Sequence, residues 1–330
     1  MALYRKSDDV ETREALLGPE DDGKRLDVVL AARFPDLSRS RIQSLIDAGN
    51  VEILGNNGDA DAAVPVGSRR QTAREGDRII IHANPLVALE AAAEDIPLDV
   101  IFEDADVVVV NKPRGMVVHP ARGNTGGTLV NALLFRGALA GGKEPERPGV
   151  VHRIDKNTSG LLVFAKNERV HAGLAAQFAA HTVDRLYYGV SLGGFREDAG
   201  TVDAPIGRKP NDRLRMAVVP DGKPAVTHWR VLERFGEGAG GGRAGAYGGK
   251  HTLLELRLET GRTHQIRVHM EYIGRPILGD DLYGGQKGAG QILHAKTLGF
   301  THPVSGERLA FDSALPAYFE ETLRKLRGHV

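Results

Sequence analysis

A polar loop runs directly into an apolar segment at residues 152–165, HRIDKNTSGLLVFA. The five consecutive apolar residues 161–165 are typical of a buried strand. The loop before them places one carboxylate, Asp155, beside two cations, Arg153 and Lys156. Neighbouring cations favour an ionised carboxylate and can also contact a phosphate group. The stretch therefore predicts a nucleophile or a base at the mouth of a buried strand.

Composition limits the kinds of chemistry that this chain can perform. Its 330 residues are enough for two domains, one of them with a core of enzyme size. The chain has no cysteine, so carboxylates, histidines and hydroxyls are the candidates for chemistry. The formal net charge is zero, so any basic face must come from the distribution of charges. No segment resembles a membrane span or a signal peptide, which predicts a cytoplasmic protein without a membrane partner.

Patterning along the chain predicts its domain organisation. Residues 1–22 are polar and aperiodic, which predicts a mobile leader. Residues 23–83 combine helical periodicity with short strands and predict a small α/β module, and the acidic segment 84–99 predicts a linker. In residues 100–330 short strands alternate with a few helices, which predicts an α+β domain on a largely antiparallel mixed sheet. Within it, the glycine-rich segment 236–249 predicts a flexible hairpin tip.

Four separated segments resemble the motifs of the RluA-type pseudouridine synthases, which isomerise uridine in RNA. The segments are NKPRGMVVHP (111–120), HRIDKNTSG (152–160), RLYYGV (185–190) and ETGRTHQIRVHM (259–270). This resemblance covers most of residues 100–312 and implies the pseudouridine synthase fold for the larger domain. Two mild departures are Ile154 and Asn157, which stand where the family commonly has Leu and Asp. The glycine-rich segment is an insertion relative to the family.

The resemblance also implies roles for particular residues. Asp155 stands at the position of the family's single essential aspartate, and Tyr187 at that of its active-site tyrosine. Arg262 is predicted to pair with Asp155 and to complete the catalytic set. Arg153 is predicted to enter the RNA stack in place of the extruded uridine. Because isomerisation neither oxidises the substrate nor transfers a group from outside, no cofactor and no metal is expected.

A second resemblance covers the N-terminal module. The pattern RLDVVLAARFPDLSRSRIQSLIDAGNV (25–51) looks like the small RNA-binding module named after ribosomal protein S-four. Basic residues are predicted to contact RNA there and in the larger domain: Arg33, Arg39, Arg41, Lys112, Arg114, Arg153 and Lys156. For the three arginines of the module, composition alone leaves an alternative open, that they form the solvated side of a helical hairpin.

These features predict an enzyme that acts on structured RNA as a monomer. The N-terminal module and the segments 96–104 and 294–312 most resemble the enzyme that modifies a stem-loop of large-subunit ribosomal RNA. We therefore predict that the substrate is 23S ribosomal RNA, with transfer RNA as the alternative. An alternative of another class is a non-catalytic RNA-binding protein of ribosome assembly, which would not need the set Asp155, Tyr187 and Arg262.

Two further alternatives concern the histidines. A hydrolase could use a dyad of His152 and Asp155, but the chain lacks a nucleophile elbow such as GxSxG. A zinc site could use His264 and His269, but their spacing is not that of HExxH and no third ligand lies nearby in the sequence. Both alternatives are therefore weaker than the RNA-modifying one.

Overall fold

The computed structural model divides the chain into two compact units, Leu3–Ala88 and a larger unit whose main segment is Leu89–Val330. The residues that the structure describes are 4–6, 11–35, 37, 39–54, 64–68, 70–83, 86–88, 91–121, 124–137, 139–140, 147–210, 212, 215–236, 250–286, 288 and 290–328. The predicted glycine-rich hairpin tip, apart from Gly236, lies outside these residues. No helix within them is long and apolar enough to cross a membrane.

The smaller unit combines helices with short antiparallel strands. Its described elements are β1 (Tyr4–Lys6), β2 (Glu11–Leu16), a 3-10 turn (Pro19–Asp21), α1 (Leu26–Arg33), α2 (Arg39–Asp47), β3 (Val51–Leu54), β4 (Val64–Pro65), β5 (Arg78–Ala83) and β6 (Leu86–Ala88). β2, β5, β3 and β4 form one sheet in that order, and β1 pairs with β6. The apolar faces of α1 and α2 bury Leu26, Leu30 and Ile42 against Ile79 and Ile81 of β5.

Two predicted boundaries in this unit differ from the structure. The predicted mobile leader contains β2, which pairs with β5 along its whole length, and the following Leu17 is buried. The predicted linker contains β6, which pairs with β1, and it reaches the first residue of the next strand. β2 is a polar edge strand that joins the sheet through backbone hydrogen bonds. It therefore carries no apolar periodicity in the sequence.

The larger unit is built on one large sheet. Its described elements are β7 (Asp99–Glu103), β8 (Val107–Lys112), α3 (Leu129–Arg136), β9 (Ser159–Ala165), α4 (Glu168–Ala179), β10 (Asp184–Leu192), β11 (Ala199–Asp203), β12 (Ile206–Arg208), β13 (Met216–Val218), β14 (Val226–Phe235), β15 (His251–Leu258), α5 (Gln265–Tyr272), β16 (Leu293–Thr301), β17 (Arg308–Asp312) and α6 (Ala317–Leu326). The sheet has the order β11-β14-β15-β10-β16-β9-β8-β7, and β17 also pairs with β16. β9 and β16 run parallel, and the other neighbours in it run antiparallel. The predicted α+β class with a mixed sheet is confirmed.

The central strands are apolar on both faces because both faces of the sheet are covered. In β8, Val108 and Val110 belong to one hydrophobic cluster, and Val107 and Val109 belong to another on the opposite face. β9 is divided between the same two clusters and is buried along its whole length. A doubly covered strand reads as a continuous apolar run rather than as an alternation. This burial fixes the position of the Asp155 loop, which leads directly into β9.

The parallel pair of β9 and β16 brings two backbones unusually close at Gly160. Gly160 has φ +116°, and a Cβ there would overlap the carbonyl oxygen of Ala295. We expect Gly160→Ala to lower the free energy of unfolding by at least about 3 kcal/mol, because it adds a backbone clash to a strained dihedral. The matched control is Gly274→Ala, which has φ +70° and no atom within 4 Å of the added Cβ. Chemical denaturation should show a loss of only about 1–2 kcal/mol for the control, and equal losses would contradict the role of close approach.

His294 of β16 predicts a pH dependence of stability. Its ring is fully buried, with Nδ1 2.7 Å from Ser159 Oγ and Nε2 2.8 Å from Ser313 Oγ. Burial, with the nearby charge of Lys296, lowers the pKa of His294 to about 4 from its usual 6.5. Between these values the unfolded chain binds the proton and the folded chain does not. The stabilisation is therefore complete above pH 6.5 and is lost as the pH falls towards 4, by about 1.4 kcal/mol per pH unit.

His294→Gln should remove this contribution. Denaturation of wild type and variant at pH 7, 5.5 and 4.5 should show a shallower loss of stability on acidification for the variant. Equal slopes would mean that other groups account for the acid sensitivity.

Candidate active site

A cavity of about 1050 Å³ opens in the larger unit beside the Asp155 loop. The structure brings four of the predicted site residues together in its wall: Arg153, Asp155, Tyr187 and Arg262. Arginines outnumber acidic residues in this wall, with Arg147, Arg153, Arg185, Arg262 and Arg267 against Asp155 and Glu168. A chain with no net charge thus has a cationic cavity, which suits a ligand that carries phosphate groups.

The two carboxylate oxygens of Asp155 have different surroundings. Oδ2 accepts a hydrogen bond from Arg267 Nη1 at 2.8 Å. Oδ1 accepts no hydrogen bond from the described residues, and the nearest ring nitrogen, His264 Nε2, is 3.8 Å away. The side chain is 18% exposed and lines the cavity. One oxygen is therefore held by the protein, and the other is available to a substrate.

The partner of Asp155 is Arg267, so the predicted pair of Asp155 and Arg262 is wrong. Arg262 lies in the loop before α5 and donates from Nε to the carbonyl oxygen of Pro224 at 3.0 Å. Arg267 lies on α5 and is buried. Both arginines belong to the same motif, five positions apart, but Arg267 lies on α5 and reaches Asp155, whereas Arg262 stays in the preceding loop.

A second carboxylate, Asp280, holds the other side of Arg267. Its two oxygens accept from Arg267 Nε at 2.6 Å and from Nη2 at 2.9 Å, and Asp280 is only 1% exposed. Burial alone would lower the pKa of Arg267, but the hydrogen bonds that it donates to Asp280 and the charge of Asp155 raise the pKa above its usual value. Arg267 is therefore a permanent cation clamped between two carboxylates, which restricts the orientation of Asp155.

Tyr187 is placed by the centre of the sheet. It lies in β10, opposite Leu256 of β15 and Ala295 of β16, and is 7% exposed. Burial raises the pKa of Tyr187, and the charge of Asp155 raises it further although Arg185 opposes this. The hydroxyl group is therefore neutral at physiological pH. The neighbouring Tyr188 packs with a different hydrophobic cluster, as expected for alternate residues of a strand.

Lys112 is not placed to contact RNA, in contrast to the prediction. It is 1% exposed, and Nζ donates to the carbonyl oxygens of Pro113, Met116 and Lys156 at 2.8, 2.8 and 3.1 Å. Burial lowers the pKa of Lys112 to about 7. The side chain thus links the NKPRG turn to the Asp155 loop from the interior. The three carbonyl oxygens satisfy the hydrogen-bond donors of the buried ammonium group.

The other predicted RNA contacts have mixed surroundings. Arg153 is exposed at the cavity, with Nη1 3.4 Å from His119 Nε2, and Lys156 is exposed on the loop. Arg114 lies outside the cavity wall, where it donates to the carbonyl oxygen of Gly290 and stacks 4.5 Å from the ring centre of Tyr318. An RNA contact by these three residues stays a prediction.

In the smaller unit, two of the three predicted arginines, Arg33 and Arg39, are engaged with acidic side chains. Arg33 pairs with Glu20 and Asp21, each at 2.6 Å. Arg39 donates to the buried Asp27, whose pKa is lowered to about 2 because hydrogen bonds from Gln43, Arg25 and Arg39 outweigh its burial. Arg33 and Arg39 keep 38% and 48% of their side-chain surface exposed, whereas Arg41 is only partly exposed. Contact of these arginines with RNA, and the resemblance to the S-four module, stay predictions.

The structure argues against both histidine alternatives. His152 Nε2 accepts from the backbone N–H of Val163 at 3.1 Å, and its ring stacks on Phe178. His152 therefore positions the loop against β9 and does not form a dyad with Asp155. His269 uses Nδ1 on Thr227 Oγ1 and Nε2 on the carbonyl oxygen of Ala204, so neither nitrogen is available to a zinc ion.

Among the described residues, one group could hold a metal ion by proximity: Asp104, Asp106 and His302, away from the cavity wall. His302 Nδ1 accepts from the backbone N–H groups of Val304 and Ser305 at 3.3 and 3.1 Å. The proton of the neutral ring is therefore on Nε2, which faces Asp104 Oδ2 at 3.2 Å. Nε2 makes no hydrogen bond with a described residue, so its contact with Asp104 is one of proximity, and a ring nitrogen that carries the proton does not coordinate a metal ion.

Sequence reasoning missed the residues that surround Asp155 from α5 and the turn after it. Arg267 and His264 lie in a motif that was singled out, but Asp280 and Tyr283 lie in GDDLYGG (279–285), which was not. The structure shows why Arg267 needs a partner: α5 buries every residue from Gln265 to Met270, and a buried arginine requires a carboxylate. Nothing in the sequence identifies which carboxylate that is.

Comparison with known proteins bears on the family and the fold. Residues 106–272 match the protein family described as RNA pseudouridylate synthase. The chain is 44% identical to "Ribosomal large subunit pseudouridine synthase D" of Xanthomonas campestris pv. campestris over 97% of this chain and 94% of that protein. It is 45% identical to "Uncharacterized RNA pseudouridine synthase YlyB" of Bacillus subtilis over 93% and 96%. The solved structure of "Human RNA Pseudouridylate Synthase Domain Containing 4" shares the fold, with a TM-score of 0.52 and 24% identity over 69% of this chain and 93% of that one. The predicted pseudouridine synthase fold is confirmed.

Proposed function

The chain belongs to the RNA pseudouridylate synthase family, and from this premise we propose that its substrate is a stem-loop of 23S large-subunit ribosomal RNA. The enzyme is an isomerase that converts uridine to pseudouridine in RNA. The relative from X. campestris, which is named for the ribosomal large subunit, supports the proposed substrate. The monomeric state and the cytoplasmic location stay predictions from the sequence.

Access to a uridine in a stem-loop requires base flipping. Extruding a base costs a few kcal/mol, which contacts to the surrounding RNA can offset. The cationic cavity is large enough for a nucleoside and carries the exposed Arg153 in its wall. Its guanidinium can stack on the exposed neighbouring bases and contact phosphate groups at the same time. We assign this role to Arg153.

The proposed mechanism depends on the different surroundings of the two carboxylate oxygens of Asp155. Arg267 holds Oδ2 at 2.8 Å, so Oδ1 is the oxygen that faces a bound uridine. In the reaction, the bond between N1 and C1′ breaks, the base rotates, and C5 bonds to C1′ instead. Asp155 acts either as a nucleophile on the ribose or the pyrimidine ring, or as a base that removes a ribose proton. Each route uses an ionised carboxylate with one unengaged oxygen.

Tyr187 supplies the apolar wall and a neutral hydroxyl group. Its ring can pack against the flipped uracil. A neutral hydroxyl group is not itself a base, but it can relay the C5 proton after the base has rotated: its oxygen accepts that proton while its own proton passes to solvent in the cavity. We therefore assign Tyr187 to the later half of the reaction.

The proposed substrate is tested with unmodified transcripts of the ribosomal stem-loop and of transfer RNAs. After incubation with the enzyme, pseudouridines are mapped by carbodiimide treatment and primer extension. Each pseudouridine then stops the reverse transcriptase. Stops on ribosomal RNA that appear with the wild-type enzyme and not with Asp155→Asn would support the proposal. Stops on transfer RNA alone would move the substrate to transfer RNA, and tight binding without any stop would favour the non-catalytic alternative.

A further inference from the structure

His264 lies at the reacting side of Asp155 in a conformation that few residues adopt. It immediately precedes α5 and has φ 57° and ψ 22°, which is the left-handed region. Non-glycine residues held in this region are uncommon, and they cluster at functional sites where the surrounding structure keeps them there. The side chain lines the cavity. The backbone therefore directs an imidazole to a defined place beside the carboxylate.

Hydrogen-bond counting assigns the proton of this imidazole. Tyr283 Oη accepts from the backbone N–H of Met216 at 2.9 Å and lies 2.8 Å from His264 Nδ1. The one proton of this hydroxyl group has no other acceptor among the described residues, so we assign it to a hydrogen bond donated to Nδ1. Nδ1 is therefore an acceptor, and the ring proton is on Nε2. Burial lowers the pKa of His264 below its usual value, although Asp155 opposes this, so the ring is neutral at physiological pH.

Nε2 and Asp155 Oδ1 border the same gap. They are 3.8 Å apart, which is too long for a hydrogen bond between them. Since Arg267 already occupies Oδ2, the gap contains a carboxylate oxygen and an N–H donor that make no hydrogen bond with any residue that the structure describes. A reacting atom lies about 3–3.5 Å from its nucleophile or base. A donor beside Oδ1 is therefore within reach of groups bonded to the atom on which Asp155 acts.

We propose that His264 is a further catalytic residue, which donates a hydrogen bond from Nε2 to the uracil oxygen O2 while the bond between N1 and C1′ breaks. O2 is bonded to the carbon next to N1, whereas O4 lies across the ring. When the bond breaks, its electron pair stays with the base and is shared with O2. A preorganised donor at that oxygen stabilises the developing charge, and no proton is transferred. The proposal rests on the role of Asp155 proposed above.

Tyr283 is the positioning residue for His264. Its hydroxyl group selects the tautomer with the proton on Nε2, and its ring centre lies 4.9 Å from the guanidinium carbon of Arg267. One side chain thus fixes both groups that surround Asp155. Tyr283→Phe keeps the ring over Arg267 and removes only the hydroxyl group, so it tests the tautomer without disturbing the ion pair.

The test compares synthetic stem-loop RNAs that carry uridine or 2-thiouridine at the modified position. Sulfur in place of O2 is a poor hydrogen-bond acceptor. On uridine RNA, His264→Ala should lower the single-turnover rate about 100-fold and Tyr283→Phe about 10-fold, with RNA affinity within about threefold of wild type. On 2-thiouridine RNA, each variant should react within about threefold of the wild-type enzyme, because the interaction is already lost.

Two further variants exclude trivial explanations. His264→Asn suits the left-handed backbone and is too short to reach O2, so it should lose rate like His264→Ala while it keeps the wild-type melting temperature. His228→Ala removes a histidine outside the cavity that contacts Thr201 and Glu259, and its rate should stay at the wild-type value. Equal losses on both RNAs, or a loss of affinity that matches the loss of rate, would overturn the proposal. Every enzyme in this comparison keeps Asp155, so failure of the Asp155 mechanism is detected separately with Asp155→Asn.

Discussion

Asp155→Asn is expected to lower the single-turnover rate of pseudouridine formation by at least about 10⁴-fold, while RNA affinity changes by no more than about threefold. The amide has nearly the same shape as the carboxylate, but it is neither a nucleophile nor a base. Arg267 keeps its two hydrogen bonds to Asp280, so the cavity wall should stay in place. The rate is measured by tritium release from RNA labelled at C5 of uridine, and the affinity by filter binding.

A matched control separates chemistry from general damage. Asp184→Asn removes a carboxylate from an exposed ion pair with Arg308 at the start of β10, outside the cavity wall, and it should react at the wild-type rate. Appreciable turnover by Asp155→Asn would remove Asp155 from the mechanism. A loss of rate that only follows a loss of RNA affinity would make Asp155 a binding residue instead.

Asp280→Ala is expected to lower the free energy of unfolding by about 3–5 kcal/mol, because it leaves two buried N–H groups of Arg267 without acceptors. Asp280 is 1% exposed and accepts both of those hydrogen bonds, so water cannot readily replace it. The rate should also fall, since Arg267 would no longer hold Asp155 in one orientation. Chemical denaturation measures the first effect, and tritium release measures the second.

The same Asp184→Asn variant is the control for stability. Its ion pair with Arg308 has side chains that are 71% and 42% exposed, so its loss should change the free energy of unfolding by less than about 1 kcal/mol. If Asp280→Ala were as stable as this control, the two hydrogen bonds between Arg267 and Asp280 would not contribute to the free energy of unfolding. In that case the orientation of Asp155 would have to come from its loop alone.

The local sequence pattern was sufficient to predict the strands and helices whose residues are buried continuously or periodically. β8 and β9 are recognisable as apolar runs because both faces of their sheet are covered, and α1 is recognisable from its apolar face. β2 was missed because a polar edge strand is held by backbone hydrogen bonds, which any sequence can form. Sequence prediction of this fold therefore succeeded where side chains are buried and failed where only the backbone pairs.

The sequence by itself determined the family, the α+β class and the candidates Asp155 and Tyr187, since these depend on motifs that can be read along the chain. The tertiary structure alone decided which cation meets which carboxylate. Arg267 reaches Asp155 across 112 positions of sequence, whereas Lys112 turns inward to three carbonyl oxygens. The physical reason is that an ion pair depends on the direction of two side chains and on their burial. Both are set by the packing of α5 and the Asp155 loop against the sheet, and neither is encoded in the residues next to them.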